Sequence, residues 1–258
     1  SEDPAVMEYI SACFQQFASE GLLGDSSLAN SIMDALPQCL SQSSRPLTQF
    51  YSVTTAGNLF FMKNTDSHKL ETLIERVISL GDTITDPEAM EALAVALAKL
   101  TQDEFSMAIL EKKQLFDGML KLVLELLNVC GDHLVMAKEA CPIAICRVAI
   151  KLGAANLKDE RKPGIAKGLL QLLQSDQLSV LGNAICAIRA LYDHDICKPE
   201  FLVYADTLFT QLATIVKQYG DGNKALCRNC CALIAGLSYK VEAHEGLAKQ
   251  NGMDVLFL

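Results

Sequence analysis

Thiols and imidazoles have the most chemistry to offer in this sequence, and their spacing decides what that chemistry could be. Cys227, Cys230 and Cys231 form a CxxC within the run Cys-Arg-Asn-Cys-Cys. Two such thiolates make half of a tetrahedral zinc site, but no second CxxC and no HxxxH follows at zinc-finger spacing. Asp193, His194, Asp195 and Cys197 gather three ligand types in one short stretch. That stretch reads instead as a polar turn at a helix C-terminus, where an imidazole suits the dipole. No metal and no cofactor is expected.

The remaining thiols point the same way. Cys13, Cys130, Cys141, Cys146, Cys186 and Cys231 lie in apolar helical runs, and a chain of 258 residues needs no disulfide staples. Reduced thiols packed in a core are the expectation. The sequence contains no GxGxxG, P-loop, GxSxG or HExxH, and its 4 histidines have no acid-base partner at recognisable spacing. It does not read as an enzyme.

The elements that would carry any site are set by a five-residue signature, small-apolar-x-x-apolar, that recurs along the chain. Its instances are 55–59 (TAGNL), 96–100 (ALAKL), 144–148 (AICRV), 187–191 (AIRAL) and 233–237 (LIAGL). The fourth positions, Asn58, Lys99, Arg147, Ala190 and Gly236, are 41, 48, 43 and 46 residues apart. That period is the mark of stacked helical repeats. Hydrophobic residues make up 50% of the chain, aromatics only 6%, and Trp is absent, so aliphatic knobs must fill the helix interfaces.

Helix boundaries follow from local chemistry. Asp86 is a good N-cap, Pro87 fits the first helical position, and Glu88 favours the positive end of the dipole. The helix that begins there is expected to run to about Leu100, with Ala89, Leu93, Ala96, Leu97 and Leu100 on its buried stripe. Val6, Ile10, Phe14 and Phe17 define one face of an N-terminal capping helix. Pro142 sits inside a helical run and predicts a kink or break near 137–141. Residues 153–163 are the expected exposed connection.

Residues 164–175 (GIAKGLLQLLQS), the turn at 176–180 and the helix through 184–191 (AICAIRAL) resemble the armadillo repeat, and 244–258 resembles the first half of another. The resemblance implies an all-α, right-handed superhelical solenoid of about five armadillo-like repeats with an N-terminal capping helix. Its approximate units are 5–62, 63–102, 103–153, 154–195 and 196–240, with a partial unit at 241–258. In this family third helices line a concave groove, and an Asn at the marker binds the backbone of an extended peptide. Here Asn58 alone keeps that residue. Import receptors of the family also place Trp one turn earlier, where this chain has Thr54, Val95, Ile143, Cys186 and Ala232. A receptor for basic import signals is therefore disfavoured.

The groove residues implied for partner binding are Tyr51, Asn58, Glu91, Lys99, Glu139, Arg147, Asn183, Arg228 and Asn229. Charge offers a second surface. Before Lys63, Arg45 stands alone against Glu2, Asp3, Glu8, Glu20, Asp25 and Asp34, whereas Arg147, Lys151, Lys158, Arg161, Lys162 and Lys167 outnumber Asp159 and Glu160. The patch formed by Lys151, Lys158, Arg161, Lys162 and Lys167 could hold an acidic segment of a protein. A formal net charge of −9 argues against nucleic acid.

The reading that results is a non-catalytic adaptor or scaffold for protein partners. The all-repeat layout is similar to that of the armadillo-repeats-only proteins of apicomplexan parasites. That likeness implies a cytoplasmic adaptor, acylated at its N-terminus, that sits on the cytosolic face of the rhoptry and recruits motor or signalling partners. Ser1 is not the Met-Gly-Cys-type start that such acylation requires, so the likeness implies a lipidated segment cut away. No apolar run of bilayer length occurs, and no membrane insertion is expected. An armadillo-type regulator or chaperone of a small GTPase is the alternative.

Overall fold

Aspartate and proline set most of the helix starts. The computed structural model of the chain describes residues 3–21, 26–40, 45–62, 65–129, 131, 134–220 and 222–238. Every regular element among them is helical. The carboxylates of Asp3, Asp66, Asp86 and Asp103 accept hydrogen bonds from the first free N–H groups of the helices that follow, with Asp86 bound to the Ala89 N–H at 3.0 Å. Pro4, Pro46 and Pro87 occupy first helical positions, where a missing N–H costs nothing.

The chain divides into two compact units, residues 1–144 and 145–258. The first holds α1 (Pro4–Ser19), α2 (Ser26–Cys39), α3 (Pro46–Leu59), α4 (Ser67–Ser79), α5 (Pro87–Leu100), α6 (Glu104–Lys112) and α7 (Phe116–Val129). The division falls within α8 (Val135–Asn156). The second unit continues with α9 (Lys162–Leu172), α10 (Leu178–Asp193), α11 (Lys198–Val203), α12 (Ala205–Tyr219) and α13 (Lys224–Ser238).

In the first unit α3 is sandwiched between α1 and α5, while α2 packs against α4 in a second row. The helix over Val6 to Phe17 is thus present as α1, and it stacks on α3 as α3 stacks on α5. Val53, Ala56 and Leu59 of α3 and Leu93, Ala96, Leu97 and Leu100 of α5 are buried between these rows. Burying one such Leu contributes about 2 kcal/mol. In the second unit α13 packs on both α12 and α10, with Ile185, Ile188, Leu191, Leu233, Ile234 and Leu237 in the core.

The break expected near Pro142 is overturned. No break occurs at 137–141: α8 keeps helical dihedrals through Pro142, and its one non-helical residue is Gly153, at φ 73° and ψ 161°. Pro142 removes one backbone donor, but Ala137, Cys141, Ala144 and Ile145 are fully buried and hold the helix to its course. Glycine reaches the left-handed region without a Cβ clash, so the interruption falls there. Residues 154–156 and 158–160 are exposed, as expected of a connection, although Leu157 is buried. The half-repeat expected at 244–258 lies outside the described residues.

Candidate functional site

Gly57 of α3 lets two third helices come close together. A Cβ at this position would stand 3.1 Å from both Cα and Cβ of Ala96 on α5. Beside that contact lies a cavity of about 440 Å³, open to one side, lined by Phe50, Thr54 and Gly57 of α3, by Ala92, Val95, Ala96 and Lys99 of α5, and by Met136 in the first turn of α8. Glu88 and Glu91 complete its edge. The floor is small and apolar because the signature puts Gly and Ala where the helices touch.

The polar groups at this cavity are specifically placed. The Lys99 ammonium donates to the Asn58 side-chain carbonyl at 2.7 Å. Burial pushes the Lys99 pKa below the ordinary lysine value, and no carboxylate among the described residues offsets that cost. At the other end of α5, the Glu91 carboxylate accepts from the Met136 N–H at 2.7 Å and, more weakly, from the Ala137 N–H at 3.4 Å. Glu91 therefore satisfies free donors at the start of α8.

Of the residues read from the sequence as a groove, Glu91 and Lys99 line this one cavity, and Asn58 is tied to it through its bond to Lys99. Tyr51, half-buried on α3, packs its ring edge-on against Phe50 at 5.4 Å. Glu139 is half-buried on α8. In the second unit Arg147 and Arg228 are exposed, Asn183 is half-buried, and Asn229 is held internally. The Asn229 carbonyl accepts from Arg189 Nη1 at 2.9 Å, and its amide donates to Cys186 Sγ at 3.2 Å. Sequence reasoning missed Phe50, Glu88 and Met136 as cavity residues and Arg189 as the partner of Asn229. The bond to Arg189 has a legible signal, since Asn229 lies 40 residues on, one repeat away.

The basic patch is partly neutralised. Lys162 bonds Asp159 at 2.7 Å, which raises the lysine pKa and lowers that of the carboxyl. Lys151, Lys158 and Lys167 are exposed and Arg161 is half-buried. Cys39, Cys141, Cys197 and Cys230 are core thiols as expected, whereas Cys186 is exposed; burial pushes Cys146 up to about 11 and Cys197 and Cys230 up to about 12. Among the described residues no cluster of His, Cys, Asp or Glu has metal-holding geometry. Asp193 to Cys197 forms the expected polar turn, with His194 as the C-cap of α10 and Asp195 bound to Lys198 at 2.6 Å. No helix among the described residues is long and apolar enough to cross a membrane.

Comparison with known proteins identifies the fold. No protein-family model and no curated protein matches the sequence. Solved structures do match: an engineered protein from a structural genomics programme is 14% identical, with a TM-score of 0.62 over 93% of this chain and 95% of its own. A designed armadillo repeat protein is 17% identical, with a TM-score of 0.60 over 92% of this chain and 95% of its own. A second engineered protein is 17% identical, with a TM-score of 0.57 and 93% of both chains covered. At these identities the likeness speaks for the fold alone, an all-α solenoid of armadillo-like repeats. The likeness to rhoptry-anchoring proteins gains no support from it.

Proposed function

We propose that this chain is a non-catalytic protein-interaction scaffold that takes an extended segment of a partner protein into the groove formed by its third helices. The observation that carries this reading is the apolar cavity between α3 and α5, floored by Gly57, Ala92, Val95 and Ala96. A cavity of about 440 Å³ accepts one or two aliphatic side chains. Each contributes about 1.5–3 kcal/mol when buried. The polar groups at the edge, Lys99 with its partner Asn58 and Glu88, would fix the register of the bound chain. Nucleic acid is a poor candidate for a protein of net charge −9.

A finer reading makes the chain an organelle-positioning adaptor held to a membrane by a lipidated N-terminus. It is supported by the all-repeat layout of the sequence and by nothing in the cavity. Regulation of a small GTPase has no specific observation in its favour.

Selection from a random displayed peptide library tests the groove. The wild-type protein is expected to enrich a consensus, and Ala92→Trp, which fills the cavity with an indole, is expected to abolish its binding while leaving the helical circular dichroism spectrum unchanged. Undiminished binding to a folded Ala92→Trp protein would place the interaction elsewhere.

A further inference from the structure

Resting on the groove reading above, we propose that the cavity selects a partner segment with a single acidic side chain beside an aliphatic one, its carboxylate seated on Lys99 and Asn58. A basic side chain of the same segment faces Glu88.

Lys99 is half-buried, and its one hydrogen bond is to a neutral amide. Its charge is thus desolvated without being neutralised. Among the described residues the Asn58 Nδ2 group also has no partner. Ammonium and amide N–H together present two donor groups, and a carboxylate is the acceptor that satisfies both and returns the missing charge. The apolar floor beside them accepts the neighbouring aliphatic group.

The surroundings restrict this to one acid. Two carboxylates, Glu88 and Glu91, line the same cavity, so a densely acidic segment is repelled. Glu88 is exposed and has no cationic partner among the described residues. It stands 11 residues before Lys99 on one helix, roughly 16 Å at 1.5 Å per residue. The cavity is lined in turn by α3, α5 and α8, so a chain following it crosses α5 between these two charges. Neighbouring side chains of an extended chain point to opposite sides, which places the acid and the base at an odd spacing. Passage across three helices also calls for an internal segment and not a terminal carboxylate.

The test uses the consensus peptide from the selection, made with its acidic residue and with the matching Asn or Gln, and titrated by fluorescence anisotropy. The acidic form is expected to bind the wild type about tenfold more tightly, as for a hydrogen bond to a charged group. Lys99→Met is expected to erase that difference while still binding the amide form, and Lys99→Glu to shift the selected consensus to Lys or Arg. Equal affinity of the two forms for the wild type, or a preference that survives Lys99→Met, would overturn the proposal and leave the groove reading standing. Loss of all binding specificity, or binding that Ala92→Trp leaves intact, would overturn both. Sedimentation of the protein alone supplies the remaining arm: a dimer abolished by Ala92→Trp would assign the cavity to a second copy and reject the peptide.

Discussion

The Lys99 ammonium and the Asn58 side-chain carbonyl, 41 residues apart in sequence and equivalent in their repeats, are joined by a hydrogen bond of 2.7 Å. The position expected to bind a partner backbone is thus coupled to its own successor. In the second unit Arg189 and Asn229 make a comparable link at 2.9 Å. Polar side chains on the third helices hold successive repeats in register as well as facing outward.

Lys99 titrates against the fold. Its pKa is lowered by burial, so the folded state disfavours the charged form. The penalty is fully present while both states are protonated, and stability is regained as pH rises through the folded pKa toward the unfolded value of about 10.4. The urea midpoint of the wild type relative to Lys99→Met is therefore expected to rise between neutral pH and strongly alkaline pH. A gap that stays constant or widens against the wild type would contradict the burial argument.

Glu91 caps α8 from another repeat. Glu91→Ala is expected to cost about 1–2 kcal/mol in urea denaturation, in line with loss of a helix cap. Glu91→Gln, which keeps an acceptor for the Met136 N–H, is expected to recover at least half of that. Two neutral substitutions would show that α8 needs no such acceptor.

Two glycines should respond in opposite directions. Gly57→Val forces a side chain against the Ala96 backbone and is expected to destabilise by about 2 kcal/mol through overpacking. A Cβ at Gly182, inside α10, would meet nothing within 4 Å. Gly182→Ala is expected to stabilise by about 0.5–1 kcal/mol through helix propensity and a less flexible unfolded chain. Thermal melts of the two variants check both signs.

Thiol chemistry should be confined to the surface. Cys197 and Cys230, with pKa values pushed up to about 12, hold almost no thiolate at pH values near 8. Maleimide labelling read by mass spectrometry is expected to modify the exposed Cys186 well before either of them. Equal labelling of Cys230 in the folded protein would mean that α13 opens readily.

The sequence made the period, the helical class and the Asp86 N-cap legible because each depends on local chemistry: Asp86 before Pro87 announces a helix wherever it stands. Pro142 misled because local rules count its missing donor, while the burial of Ala137, Cys141, Ala144 and Ile145 around it, which keeps those turns helical, depends on tertiary packing. Gly153 carried the true signal, a residue that tolerates positive φ at a helix end. In the cavity, Asn58 and Lys99 were visible as marker residues. Glu88 and Met136 were not, since their place depends on how α5 meets the first turn of α8. Glu91 was read as a partner contact, and its bond to the Met136 N–H gives it a structural task besides.

Amide and methyl NMR mapping of the selected peptide tests the groove most directly. Titration is expected to shift Thr54, Asn58, Ala92, Val95 and Lys99 together, with Met136 at the edge, and to leave residues 158–167 unmoved. Shifts centred on the basic patch at Lys158, Arg161 and Lys167, with the cavity residues silent, would contradict it.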